Sequence, residues 1–181
     1  MNEFFQTLTN QQILQIVAII GASIACYTDF KSGMIRNWLT FPMMLVGLVA
    51  NLALFGISGF LYSLGGMFLG IFVYLPLALV GIVGMGDVKL LGGIASIAGP
   101  AFMINTLLYS GVVAVPHALL IQTLNYGKNA IPMLLSSFKS GAWLKKTIDN
   151  DNATVRYHFY MGFSLFAGTL LAFRFFIPLG W

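Results

Sequence analysis

Two aspartates stand out in a chain with five acidic and nine basic residues. Asp29 lies in Thr28-Asp29-Phe30-Lys31 and Asp87 in Gly84-Met85-Gly86-Asp87-Val88-Lys89, each where a long apolar run meets a short polar break. A carboxylate at membrane depth is costly and marks function by default. If the two face each other they cannot both ionise comfortably, so the pair shares a proton. The ionised partner can then activate water, while the protonated partner donates to the oxygen of a scissile carbonyl. That chemistry needs no metal, serine or cysteine, and the sequence assigns no cofactor and no metal ligand set. Gly84 and Gly86 flank the approach to Asp87. Lacking Cβ, they permit positive φ and the close approach of a substrate backbone. Asp87 is also expected to open a helix, whose N-terminus favours an anion. Taken singly, each acid has a plain explanation. Asp29 could cap an interface or pair with Lys31, and Asp87 could be an N-cap with Lys89 snorkelling to headgroups. Their joint placement favours the catalytic pair.

The elements that must position these acids are membrane helices. Of 181 residues, 59% are hydrophobic and 8% charged, against about 25% charged in soluble domains. No soluble fold of this size hides that much apolar surface, so lipid is the solvent for much of it. Apolar runs fall at roughly 13–28, 38–57, 59–83, 88–99, 101–124 and 159–179. They predict an all-α, polytopic membrane bundle of about six transmembrane helices in a single domain spanning 1–181. The run at 88–99 is short for a span, at ~18 Å. Glu3 and the lack of a basic start or a cleavage site argue against a signal peptide, so the first run is expected to be retained. Small residues (Gly66 and Gly70, Gly92 and Ser96, Gly162 and Gly168) suit close helix packing. Cys26 is read as a small buried apolar residue.

Segment 125–158 is polar and basic, and is expected to be a cytoplasmic loop. Within it, residues 131–144 form either an amphipathic surface helix or a plain flexible stretch. With six spans, eight of the nine basic residues fall on one side, leaving Arg174 near the other. The positive-inside rule makes that side cytoplasmic. Asp29 and Asp87 then lie together near the cytoplasmic face of the inner membrane, and both termini lie outside. The net charge of +4 is assigned to anionic lipid headgroups rather than nucleic acid.

Asp29, the stretch Ile35-Arg36-Asn37-Trp38-Leu39-Thr40 and Gly84-Met85-Gly86-Asp87-Val88-Lys89-Leu90 resemble the type IV prepilin peptidase family, which are membrane aspartic proteases with a GxGD motif. Phe159-Tyr160-Met161-Gly162-Phe163 through Gly168-Thr169-Leu170-Leu171 resembles the last helix of that family. The resemblance covers most of the membrane part and is weakest over 101–158. Arg36 stands where the family often has proline. The resemblance implies Asp29 and Asp87 as the catalytic pair and Gly84 and Gly86 as motif glycines, and gives Lys89 no catalytic role. It implies leader removal from prepilin or pseudopilin precursors, commonly after a glycine. The cysteine-containing insert of the larger, N-methylating members is missing between the first two runs, so a peptidase-only member is expected. By family analogy it serves Flp-type pili.

A rival reading is a small proton- or cation-coupled transporter using Asp29 and Asp87 as a relay. The chain shows one glycine-rich break and no matching partner in the other half, which such transporters usually carry. A catalytically dead assembly subunit is disfavoured because both acids are kept. His117, beside Pro116, is expected to be a hydrogen-bonded histidine at a helix kink rather than a proton relay. His158 is expected at the interface, and Arg174 is expected to snorkel outward.

Overall fold

The computed structural model describes residues 2–79, 83–126 and 161–175. They form four helices and no strand: α1 Asn2–Ser32, α2 Asn37–Leu79, α3 Met85–Tyr126 and α4 Met161–Arg174. The all-helical expectation holds, and α2 and α3 are each two helices joined across a kink. Of the four elements, three are long and apolar enough to cross a membrane, and α4 is a shorter apolar helix. The kinks lie at Gly56 and Gly99. At these points helical residues continue on both sides of a single non-helical glycine, with φ of 67° and 85°. Only glycine takes such angles without steric cost, and no polar loop is needed. Most of the segment 125–158, with His158, lies outside the described residues.

The chain doubles back at both glycines. Gly47 and Ser63 both lie against Ser96, although 16 residues of straight helix would separate them by ~24 Å. Asn37 meets Lys89, Met44 meets Ser96, Gly66 meets Ala95 and Gly70 meets Leu91. The first half of α2 therefore runs parallel to the first half of α3, and its second half returns antiparallel. Past Gly99, α3 also turns back. Ser110 reaches Tyr74, and His117 reaches Ser164 near the start of α4. Gly168 packs on Thr106 and Ser110, so α4 runs antiparallel to this second half.

Small residues make these approaches possible. A Cβ on Gly66 would stand 2.8 Å from the Ala95 carbonyl oxygen, and one on Gly70 would stand 3.0 Å from that of Leu91. Gly168 is as tight, with Thr106 O at 2.7 Å. Such close backbone contact maximises dispersion where lipid supplies no hydrophobic drive between helices. The core centres on α3, with Leu90, Leu91, Ile94, Phe102 and Met103 almost fully buried. The outer surface is apolar, with Ile20, Leu45, Ile57, Phe72 and Val112 all exposed.

The Gly99-Pro100 reversal frees backbone groups, and α2 satisfies them. Pro100 has no N–H for the carbonyl of Ser96, four residues back. That carbonyl instead accepts from Ser63 Oγ at 2.6 Å and Asn51 Nδ2 at 3.1 Å. Asn51 Nδ2 also donates to Ile97 O at 3.1 Å, and the Tyr62 hydroxyl takes the N–H of Ala101. In an apolar solvent each such group needs an internal partner. A cavity of about 410 Å³ lies at this end, bordered by Gln11 and Leu14 of α1 as well as Asn51 and Tyr62. Helix α1 thus starts near the reversals and ends at the opposite pole.

Candidate active site

That opposite pole collects the last turns of α1, both ends of α2, the start of α3 and the start of α4. Helix α1 continues past Asp29 and stops at Gly33, whose φ of 65° and N–H bond to Asp29 O (2.8 Å) form a left-handed C-cap. The Asp29 carboxylate faces inward and is 8% exposed. Its Oδ2 accepts the backbone N–H of Gly162 at 3.0 Å, from the first turn of α4. The alternative pairing of Asp29 with Lys31 is not seen among the described residues.

Asp87 is positioned by the start of α3. Gly84 is the N-cap, and its carbonyl accepts the N–H groups of Asp87 (3.0 Å) and Val88 (3.3 Å). The Asp87 side chain reaches back, Oδ2 accepting the Gly84 N–H at 3.1 Å. This is capping-box geometry with the acid three residues into the helix, not the N-cap position the sequence suggested as a plain alternative. One oxygen is used in this way. The other, Oδ1, is buried with no hydrogen-bond partner. A buried, unpaired carboxylate oxygen is expensive, and the start of the helix does not require it.

The two carboxylates are close enough for their charges to interact. They are 58 positions apart in sequence, and the ends of α1 and α3 bring them to one pole. Tyr74 is buried (5% exposed) and within electrostatic reach of Asp87. Lys89 points away from the acids, its Nζ donating to Asn37 Oδ1 at 2.9 Å and lying 5.3 Å from the Phe41 ring centroid.

The glycines of the motif behave differently from the expectation of positive φ, which neither Gly84 nor Gly86 shows. A Cβ on Gly84 would stand 2.9 Å from Asp87 Oδ2. One on Gly86 would stand 3.0 Å from Ile35 Cβ and 3.1 Å from Ile35 O. Gly86 thus admits the α1–α2 connection over the start of α3, and Gly84 makes room for the acid itself. Gly162 had only a packing role in the sequence reading. Its open side faces the Asp29 carboxylate, with Oδ2 at 2.9 Å from an added Cβ.

A model of the type IV leader peptidase family matches residues 16–119. The chain belongs to that family. Membership makes it a leader peptidase-like protease with prepilins as the kind of partner, and its apolar helices are those of a membrane protein. No curated protein and no solved structure matches the chain. The matched stretch includes both acids, Gly84 and Gly86, and ends before α4. It lends no support to the transporter reading. The described residues contain no group of three or more metal-ligating side chains. In this leader peptidase fold, His117 stands near the same pole. Its ring packs edge-on to Phe163 with centroids 5.1 Å apart, and Nδ1 is 3.4 Å from Ser164 Oγ. Phe163 also meets Phe30, next to Asp29, at 6.3 Å. Sequence gave no signal for this aromatic cluster, because its members come from three separate helices. Cys26 is a buried free thiol, and Arg174 lies over the Phe175 ring.

Proposed function

We propose that this chain is an intramembrane aspartic endopeptidase that removes the leader peptide from type IV prepilin or pseudopilin precursors, including those of Flp-type pili. Asp29 and Asp87 form its catalytic dyad. The observation that carries this reading is that two buried carboxylates, from α1 and α3, lie at one pole within electrostatic reach, one of them with an oxygen left unpaired. In the ground state the pair holds one proton. The ionised carboxylate takes a proton from water as the water oxygen attacks the scissile carbonyl carbon. The protonated carboxyl donates to the carbonyl oxygen, giving a neutral gem-diol. On collapse the carboxyl that took the water proton passes it to the leaving amine nitrogen as the C–N bond breaks, and the other carboxylate takes a proton from a gem-diol hydroxyl, so the pair is again singly protonated. Gly84 leaves room for the Asp87 carboxylate, and Gly86 lets the α1–α2 connection close over the start of α3.

Lys31, Arg36 and Lys89 belong to the same pole as the acids. Under the positive-inside rule that pole is cytoplasmic in the inner membrane. The leader would leave to the cytoplasm, and the mature apolar helix would stay in the bilayer.

The test is coexpression with a prepilin, reading leader removal for wild type, Asp29→Asn and Asp87→Asn. Both variants should accumulate in the membrane and leave the precursor uncut. Normal cutting by either would reject the dyad.

A further inference from the structure

We infer that Gly162 is a positioning residue of the catalytic site, the partner to Asp29 that Gly84 is to Asp87. The inference rests on the aspartic-protease reading above. The two acids are held in the same way. In each, Oδ2 accepts one glycine N–H, at 3.0 Å from Gly162 and 3.1 Å from Gly84. In each, a Cβ on that glycine would stand 2.9 Å from the same Oδ2. At Gly162 the crowding goes further, with Asp29 Cβ at 3.1 Å and Cγ at 3.3 Å. The Gly84 contact is local, three residues away, and part of a helix start. The Gly162 contact spans 133 residues and is buried; it also gives an acceptor to a first-turn N–H of α4, but that acceptor is the acid itself rather than a local capping residue.

A carboxylate on a freely rotating χ2 presents either oxygen to its partner. Fixing Oδ2 on a backbone donor leaves Oδ1 to face the reacting groups, and the charge-assisted bond is stronger than a neutral one. Helix α4 is otherwise anchored by Gly168 against Ser110 and Thr106 and by the Tyr109 hydroxyl donating to Phe175 O at 2.6 Å. Those contacts hold α4 to α3, whereas Gly162 is buried at its contact with α1, directly against the acid.

The experiment measures prepilin cleavage by full-length purified enzyme in detergent or liposomes, with kcat and KM separated. In Gly162→Ala the added methyl displaces the carboxylate. The expected result is a fall in kcat of about 100-fold with KM unchanged, as for an ångström-scale misplacement of a reacting group. A second enzyme carries glycolic acid in place of Gly162, so that a backbone ester removes the N–H without adding Cβ. It should lose kcat of the folded enzyme by at least about tenfold, beyond the drop in thermal midpoint that loss of a buried charge-assisted bond brings. Gly168→Ala is the packing control and should lower the thermal midpoint while leaving kcat of the folded fraction intact. Wild-type kcat in the ester enzyme would overturn the inference, as would loss in Gly162→Ala confined to KM or to stability. Asp29→Asn and Asp87→Asn run alongside. If they cut normally the protease reading fails, whereas inactive Asn variants beside a fully active ester enzyme reject the Gly162 role alone.

Discussion

The two poles of the bundle handle buried polarity in opposite ways. At the Gly99-Pro100 reversal, the carbonyls of Ser96 and Ile97 and the N–H of Ala101 each find a side chain of α2, from Asn51, Ser63 or Tyr62. At the other pole, Asp87 Oδ1 is buried and unpaired, with a second carboxylate close by. The first arrangement serves stability, because a polar group freed in an apolar solvent must be satisfied. The second costs stability and is kept where water and a peptide bond would be handled. The Thr106 hydroxyl is also buried without a partner, and nothing in the structure explains it.

This contrast can be broken by mutation. The largest effect is expected from Asp87→Asn, which should cost about a thousandfold or more in prepilin cleavage, the scale of a lost acid–base group. Its thermal midpoint should stay at or above wild type, since a neutral amide replaces a buried carboxylate. A destabilised Asp87→Asn would show that the acid is structural. Next is Asn51→Leu at the other pole. It leaves the Ile97 carbonyl unpaired and should destabilise by about 2 kcal/mol in a reversible unfolding measurement, with kcat of the folded enzyme unchanged. Ser63→Ala should cost about 1 kcal/mol, because Asn51 still serves the Ser96 carbonyl. Lys89→Met is the smallest, removing one exposed hydrogen bond to Asn37, and should change kcat less than about twofold. Loss of catalysis in Asn51→Leu without loss of stability would erase the distinction between the poles.

Much of this was legible from sequence, and the limits have physical causes. The cost of carboxylates in an apolar chain singled out Asp29 and Asp87 without coordinates. The apolar runs located the helical material, and their boundaries at 57/59 and 99/101 fall within two residues of Gly56 and Gly99. What sequence does not show is that a single glycine with positive φ does the turning, since Phe55-Gly56-Ile57-Ser58-Gly59 carries no polar loop. The glycines of Gly84-Met85-Gly86 were legible as positions that exclude Cβ. What fills the space, Asp87 in one case and Ile35 in the other, is a tertiary fact. Gly162 was the hardest to see. A glycine facing a carboxylate and one facing a helix backbone look alike in an apolar run, so its resemblance to Gly168 concealed a different role. Asn51 and Ser63 drew no notice because their acceptors lie 33 to 46 positions away.

The central claim is that Asp29 and Asp87 act as one unit, and a double-mutant cycle on prepilin cleavage tests it most directly. Kinetic losses within a catalytic unit are strongly non-additive. The combined Asp29→Asn, Asp87→Asn enzyme should therefore be no slower than either single variant. If the two losses multiply, or if either single variant retains wild-type kcat, the acids work independently and the account is wrong.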